Sequence, residues 1–96
     1  MPPNFERVFS VPHHHRLVLI RSRARGGVWR GVYWTHEQMD QSGSVVARYE
    51  SFEEISRIGQ IQCGWRKYDN LGTLVSEQIF AESWSHTAGT QPHEAA

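Results

Sequence analysis

Three short turn sequences that contain glycine divide this chain into segments in which apolar and polar residues alternate. The turns are Gly26-Gly27, Asp40-Gln41-Ser42-Gly43 and Asp69-Asn70-Leu71-Gly72. Glycine accepts the positive φ angles of tight hairpin turns, and aspartate favours the first position of a type I turn. Because the segments between the turns are rich in β-branched and aromatic residues, the pattern predicts antiparallel strands joined by hairpins.

The predicted fold is all-β, or a β-dominated α+β fold, with about five antiparallel strands in meander order. The predicted strands span residues 17–25, 28–40, 44–52, 61–69 and 73–80. We expect a curled sheet or a small, partly open barrel. Ser51 and Glu54 have the spacing of a capping box, which predicts one short helical turn near residues 52–58. A single domain is expected over residues 1–84, followed by a flexible, mostly small and polar tail over residues 85–96.

The first turn predicts the pairing of the first two strands. A two-residue turn at Gly26-Gly27 places Arg25 opposite Val28 and Arg23 opposite Arg30. Four cations then share one face of this hairpin: Arg21, Arg23, Arg25 and Arg30. Like charges directly opposite each other destabilise a sheet, so this arrangement favours an anion between them. That anion is an RNA phosphate, a carboxylate of a partner, or Glu50 or Glu77 of the same fold.

The second turn predicts that both faces of the sheet hold large aromatic residues. A loop closed by Gly43 places Trp34 opposite Glu50, while Tyr49 lies on the other side. An antiparallel sheet usually has one face in water. We therefore expect the sheet to curl on itself, to be covered by the N-terminal segment with Phe5, Val8 and Phe9, or to meet another subunit, and we predict a homodimer or a tight partner.

Charge and composition limit the function classes. The 96 residues carry ten cations and ten anions, so no overall field directs the chain to nucleic acid or to a membrane. Nine of the ten cations are arginine, the residue suited to stacked and bidentate contacts. The single cysteine excludes an internal disulfide and fits a reducing compartment, and no apolar run reaches membrane-spanning length. A cytoplasmic location without a membrane partner is expected.

Metal and catalytic motifs carry little signal. Of the three consecutive histidines, only His13 and His15 would point to the same side of an extended segment, and two ligands fall short of a specific metal site. Cys63 is interpreted as a small core residue. The sequence has no phosphate-binding glycine loop, no H-E-x-x-H motif and no nucleophile elbow. We therefore expect no cofactor, no metal and no enzymatic activity.

Residues 65–68 read Trp-Arg-Lys-Tyr, the tetrapeptide that heads the DNA-reading strand of WRKY transcription factors. The Gly-Gln-Lys continuation of that family is absent here, and the only cysteine, Cys63, lies upstream. Structural zinc needs four nitrogen or sulfur ligands. The tetrapeptide therefore does not predict a WRKY domain.

The remaining signal is a surface of arginine and aromatic residues. The candidate binding residues are Arg21, Arg23, Arg25, Arg30, Trp34, Arg48, Trp65 and Arg66. Our first hypothesis is a small non-enzymatic interaction module, such as a regulator, inhibitor or assembly factor, that contacts another protein or a second copy of itself. The alternative is a single-stranded RNA or DNA binder, in which aromatic residues stack on bases beside arginines. A ligand carrier, a metal carrier and an enzyme are the other classes considered.

Overall fold

The computed structural model describes residues 3–27 and 30–85, and these form one short helix and five strands. The elements are α1 (Phe5–Val8), β1 (Arg16–Arg25), β2 (Arg30–Met39), β3 (Val45–Ile55), β4 (Ile61–Asp69) and β5 (Leu74–Phe80). The strands form one antiparallel sheet in the order β1-β2-β3-β4-β5. This confirms the predicted meander of five strands. Over the described residues the sheet does not close into a barrel, because β1 and β5 are its edges.

Three of the four hairpins share one turn geometry, in which a glycine with positive φ closes a three-residue loop. In each turn the glycine N–H donates to the carbonyl oxygen three residues earlier, at N–O distances of 2.9–3.0 Å. The first residue and the glycine of these turns are Asp40 and Gly43, Ser56 and Gly59, and Asp69 and Gly72. Both aspartates also accept backbone N–H groups two and four residues later. These turns are therefore specified by local sequence.

The helical turn predicted near residues 52–58 is wrong. Residues up to Ile55 continue β3, and Ser56 begins the hairpin turn to β4. Strand pairing outweighs the capping-box spacing here, because Ser51 lies opposite Trp65 and its side chain is buried. The spacing of Ser56 and Gly59 matches that of the two Asp-x-x-Gly turns, and this is the signal in the sequence that indicates a hairpin. The helix α1 instead follows Asn4.

The predicted register of β1 and β2 is also wrong. Arg23 lies opposite Tyr33 rather than Arg30, because β1 ends at Arg25 and β2 begins at Arg30, which makes the loop longer than two residues. Val28, the predicted partner of Arg25, lies outside the described residues. A bulge between Leu19 and Arg21 shifts the register once more along β1.

The register of β2 and β3 differs from the prediction by one residue. Trp34 lies opposite Ser51 rather than Glu50, since the pairing shifts between Gln38 and Met39. A slip of one residue moves a side chain to the opposite face of the sheet. The predicted distribution of residues between the two faces therefore changes for part of the sheet.

The N-terminal segment covers one face of the sheet, which is one of the three arrangements predicted. The Phe5 ring meets Trp34 edge to face at a centroid distance of 5.1 Å, and Phe9 stacks on Tyr49 at 3.9 Å. Trp84, from the other end of the described chain, is fully buried in the same cluster. The predicted domain end at Trp84 is a core position, whereas residues 86–96 of the predicted tail lie outside the described residues. Cys63 is also buried in this cluster, as predicted.

A polar chain connects the histidine segment to the core. His15 Nδ1 lies 2.7 Å from Gln38 Nε2, and Gln38 Oε1 accepts a hydrogen bond from the Tyr49 hydroxyl at 2.8 Å. Because the amide nitrogen donates, His15 Nδ1 acts as the acceptor in this contact. His15 therefore ties the entry of β1 to the middle of the sheet.

His36 makes the stability of the fold depend on pH. Burial lowers the pKa of His36, and its Nδ1 has no hydrogen-bond partner among the described residues. The unfolded chain therefore binds a proton more readily than the folded one as the pH falls below about 6.5. We expect the free energy of unfolding to fall in that range, by at most about 1.4 kcal/mol per pH unit from this one group.

Urea unfolding at neutral pH and at about one pH unit below the ordinary histidine pKa measures this loss. His36→Phe keeps an aromatic ring at the position and removes the titration, so the variant should lose less stability over the same interval. An equal loss in both proteins would contradict the assignment to His36.

Candidate functional site

The two faces of the sheet carry different side chains. The covered face lies under α1 and Trp84 and includes Leu17, Trp34, His36, Ala47, Tyr49, Cys63, Trp65 and Phe80. The register places a second set on the other side, which we call the open face: Arg21, Arg23, Arg25, Tyr33, Thr35, Glu37, Arg48, Glu50, Phe52, Glu54, Gln62, Arg66, Tyr68, Glu77 and Ile79. The open face is the candidate functional site.

Five of the eight residues predicted from sequence share the open face. They are Arg21, Arg23 and Arg25 on β1, Arg48 on β3, and Arg66 on β4. The other three predicted residues do not join them. Arg30 lies opposite Ile55 at the exposed end of the covered face, so its predicted pairing with Arg23 is wrong.

The other two predicted residues, Trp34 and Trp65, are part of the core. The Trp34 ring contacts Phe5, and the Trp65 ring lies 5.5 Å from Phe9 and 6.2 Å from Tyr49, measured between centroids. Both indole rings are half-buried beneath the N-terminal segment. Each ring is therefore engaged in part by the fold itself.

Three arginines of the open face lie over aromatic rings. The guanidinium carbon of Arg23 is 5.5 Å from the Tyr33 ring centroid, and that of Arg48 is 5.8 Å from Tyr68. The third pair is Arg66 over Phe52, at 6.0 Å. Guanidinium groups within about 6 Å of a ring are attracted by its quadrupole. These contacts hold long side chains in defined positions on the surface.

The open face has ion pairs in its middle and arginines outside any ion pair at one edge. Arg48 forms an ion pair with Glu50, and Arg66 Nε lies 2.6 Å from Glu77 Oε2. Among the described residues these are the ion pairs, so the three arginines of β1 have no carboxylate within ion-pair distance. Arg21, Arg23 and Arg25 are also exposed. The open face therefore presents an edge row of cations beside a centre that holds two ion pairs and two further carboxylates, Glu37 and Glu54, that are in neither ion pair.

Tyr33 links the edge row to the centre. Its hydroxyl donates a hydrogen bond to Glu54 Oε2 at 2.6 Å. This bond raises the pKa of Tyr33, as do burial and the charge of the carboxylate, while Arg25 acts in the opposite direction. The neutral hydroxyl thus sits between a cation of β1 and an anion of β3.

A shallow concavity of about 340 Å³ lies in the middle of the open face. Its lining includes Arg21, Arg23, Tyr33, Thr35, Glu50, Phe52, Glu54, Gln62, Arg66 and Ile79. Gly31 leaves room for the Tyr33 ring, because a Cβ there would lie 2.8 Å from the Tyr33 hydroxyl. Gly64 lets β5 approach β4, because a Cβ there would lie 2.4 Å from the carbonyl oxygen of Gln78. Two glycines therefore shape this surface.

The histidine segment does not form a metal site in the described residues. No group of three or more potential metal ligands comes together there. His15 is engaged by Gln38, whereas His13 is exposed.

Comparisons of the chain with protein-family models, with curated proteins and with solved structures found no match. Within the described part of the chain, no helix is long and apolar enough to cross a bilayer.

The partners of the arginines do not follow from the sequence patterns. A two-residue turn at Gly26-Gly27 predicts Tyr33 on the face opposite Arg23, which is wrong. The predicted third strand ends at Phe52, so Glu54 falls in the predicted helical turn rather than in β3. The useful signal was the alternation that continues through residues 48–54, which sets Arg48, Glu50, Phe52 and Glu54 on one side of a strand.

Proposed function

We propose that this chain is a small non-enzymatic interaction module, acting as a regulator, inhibitor or assembly factor, that docks onto another protein through its open face. One observation carries the proposal: Arg21, Arg23 and Arg25 project from β1 without a carboxylate partner among the described residues. A protein surface with acidic side chains would neutralise this row. We further propose that the protein acts in the cytoplasm, since a single cysteine fits a reducing compartment.

The pairing within the open face supports a protein partner of this kind. Arg23 and Arg66 lie over aromatic rings, and Arg66 is also fixed by Glu77. Holding long side chains in place before binding reduces the entropy lost when the complex forms. Arginine and tyrosine are also enriched among the residues that dominate binding energy at protein interfaces.

The charges of the open face favour a protein over a nucleic acid. Glu50, Glu54 and Glu77 share the face with the arginines, so a polyphosphate backbone crossing it would meet anions as well as cations. Trp34 and Trp65, which the nucleic-acid hypothesis uses as stacking platforms, are half-buried and pack against the core on the other face of the sheet. The unpaired arginines of β1 would also bind phosphate groups, so single-stranded RNA or DNA is the alternative ligand.

Charge reversal on β1 is expected to abolish partner binding. Arg21→Glu/Arg23→Glu reverses two unpaired cations, and a bound acidic surface would then meet like charges. A matched control is Arg7→Glu/Arg57→Glu, which makes the same change in net charge at exposed positions on α1 and in the β3–β4 turn. All three proteins are used as bait in host extract with and without nuclease, and recovered proteins and nucleic acids are identified.

The proposal requires a protein that survives nuclease treatment, is lost from the β1 variant and is kept by the control. Circular dichroism should show both variants folded, because surface substitutions usually change stability by only about 0.5 kcal/mol. Recovery that disappears on nuclease treatment would support the nucleic-acid alternative. Equal recovery by the β1 variant and the wild type would place the docking surface elsewhere.

A further inference from the structure

The two edges of the sheet differ in how they are protected against pairing. An edge strand has a row of unpaired backbone N–H and C=O groups, and natural proteins often block it with charge, proline or a covering segment. β1 carries four arginines, at positions 16, 21, 23 and 25. β5 (Leu74–Phe80) contains one charged residue, Glu77, and no proline. Glu77 is already in an ion pair with Arg66 of the neighbouring strand.

β5 is also exposed and largely apolar or neutral. Leu74 is 48%, Val75 58% and Ile79 49% exposed. The remaining polar residues, Ser76 and Gln78, are uncharged and exposed. Within residues 3–27 and 30–85, this edge therefore combines unpaired backbone groups, apolar side chains and no net repulsive charge, which is the combination that sheet edges normally avoid.

We infer that β5 is the surface at which a second copy of this chain binds, with the two β5 strands antiparallel about a two-fold axis, so that the five-stranded sheets join into a ten-stranded one. An antiparallel edge is self-complementary, because a two-fold axis brings the same donors and acceptors of both copies together. Pairing of β1 with β1 would place two rows of arginines against each other, and like charges repel. Pairing of β1 with β5 would be head to tail and would leave further edges open. The β5 pair is the closed arrangement that the charges permit.

This arrangement places both open faces on the same side of the joined sheet. A two-fold axis perpendicular to an antiparallel sheet preserves which face points up, so the β1 arginine rows lie at the two outer edges. The seam is one seven-residue strand pair, smaller than a standard interface of roughly 1,600 Å². We therefore expect a dissociation constant in the micromolar range. The inference does not depend on the proposed docking function, which concerns the arginines of the open face.

Analytical ultracentrifugation over a range of micromolar concentrations tests the inference with the purified protein. The wild type should pass from monomer to dimer. Val75→Lys/Gln78→Lys puts four lysines into the seam, so its dimer dissociation constant should rise by at least about tenfold. The control Ile58→Lys/Gln41→Lys makes the same kinds of change at exposed turn positions, and it should dimerise like the wild type.

Hydrogen exchange of the wild type gives a second readout that needs no variant. The backbone amides of β5 that point away from β4 should exchange more slowly as the protein concentration rises, while those of the β1 edge should not change. A wild type that stays monomeric over the range would overturn the inference, even if β5 accepts an extended peptide from another protein. A dimer that survives the β5 substitutions, or that protects β1 instead, would overturn it as well.

Discussion

Replacing Trp84 with alanine is expected to lower the free energy of unfolding by about 3–5 kcal/mol. The side chain is fully buried, and its ring meets Phe5 at a centroid distance of 5.8 Å and Phe80 at 6.3 Å. Its Nε1 also donates a hydrogen bond to the Phe52 carbonyl oxygen at 2.9 Å. The substitution leaves both a cavity and a buried carbonyl without that donor, and unmet buried acceptors add about 1–3 kcal/mol.

Since small domains are stable by only about 5–15 kcal/mol, this loss is a large share of the total. Trp84→Phe is the matched control, because it keeps a ring in the cluster and removes the hydrogen bond, and it should lose clearly less stability than alanine. Urea unfolding followed by far-ultraviolet circular dichroism measures all three proteins without relying on tryptophan fluorescence. A Trp84→Ala variant as stable as the wild type would show that residue 84 does not contribute to the core.

Gly64→Ala is expected to give the second large effect, a loss of about 1–3 kcal/mol with local weakening of the β4–β5 pair. The added Cβ would lie 2.4 Å from the Gln78 carbonyl oxygen and 3.0 Å from the Ile79 Cα. Both contacts are with backbone, so relief requires β5 to move away from β4. The movement would also change the concavity of the open face, which Ile79 lines.

Gly26→Ala is the control for this substitution, because a Cβ there meets nothing within 4 Å and its φ is not in the left-handed region. Thermal unfolding should separate the two variants by several degrees, since about 1 kcal/mol shifts the melting temperature of a domain of this size by roughly 4–8 °C. Hydrogen exchange should locate the Gly64→Ala effect in β5. Identical melting of the two variants would contradict the close approach of the strands.

Strand identity was readable from the sequence because it depends on local alternation and local turns. The fourth strand, residues 61–69, was predicted with the bounds that the structure gives. The strand register was harder to predict, because it depends on loop length and on bulges that no local sequence pattern indicates. The longer loop before Arg30 placed Tyr33 opposite Arg23, and the shift between Leu19 and Arg21 changed the register further along β1.

The candidate site was predictable where it depends on local alternation and not where it depends on long-range contacts. Arg21, Arg23 and Arg25 needed only the alternation of one strand to be placed together. Trp34 and Trp65 were named as binding residues because an aromatic residue in a strand has the same local pattern whether it is covered or exposed. Their burial depends on α1, a four-residue helix whose ring contacts with the sheet are long-range.

The covering of one sheet face by residues from both ends of the described chain bears on synthesis at the ribosome. The hairpins need only neighbouring sequence and can form as the chain emerges, but Phe5 and Trp84, whose rings meet in the finished core, appear first and last. Until Trp84 is released, a nascent sheet lacks the ring that packs against Phe5 and Phe80, so this part of its covered face is exposed to chaperones and to other nascent chains. A chain cut short before this tryptophan would therefore be a substrate for quality control.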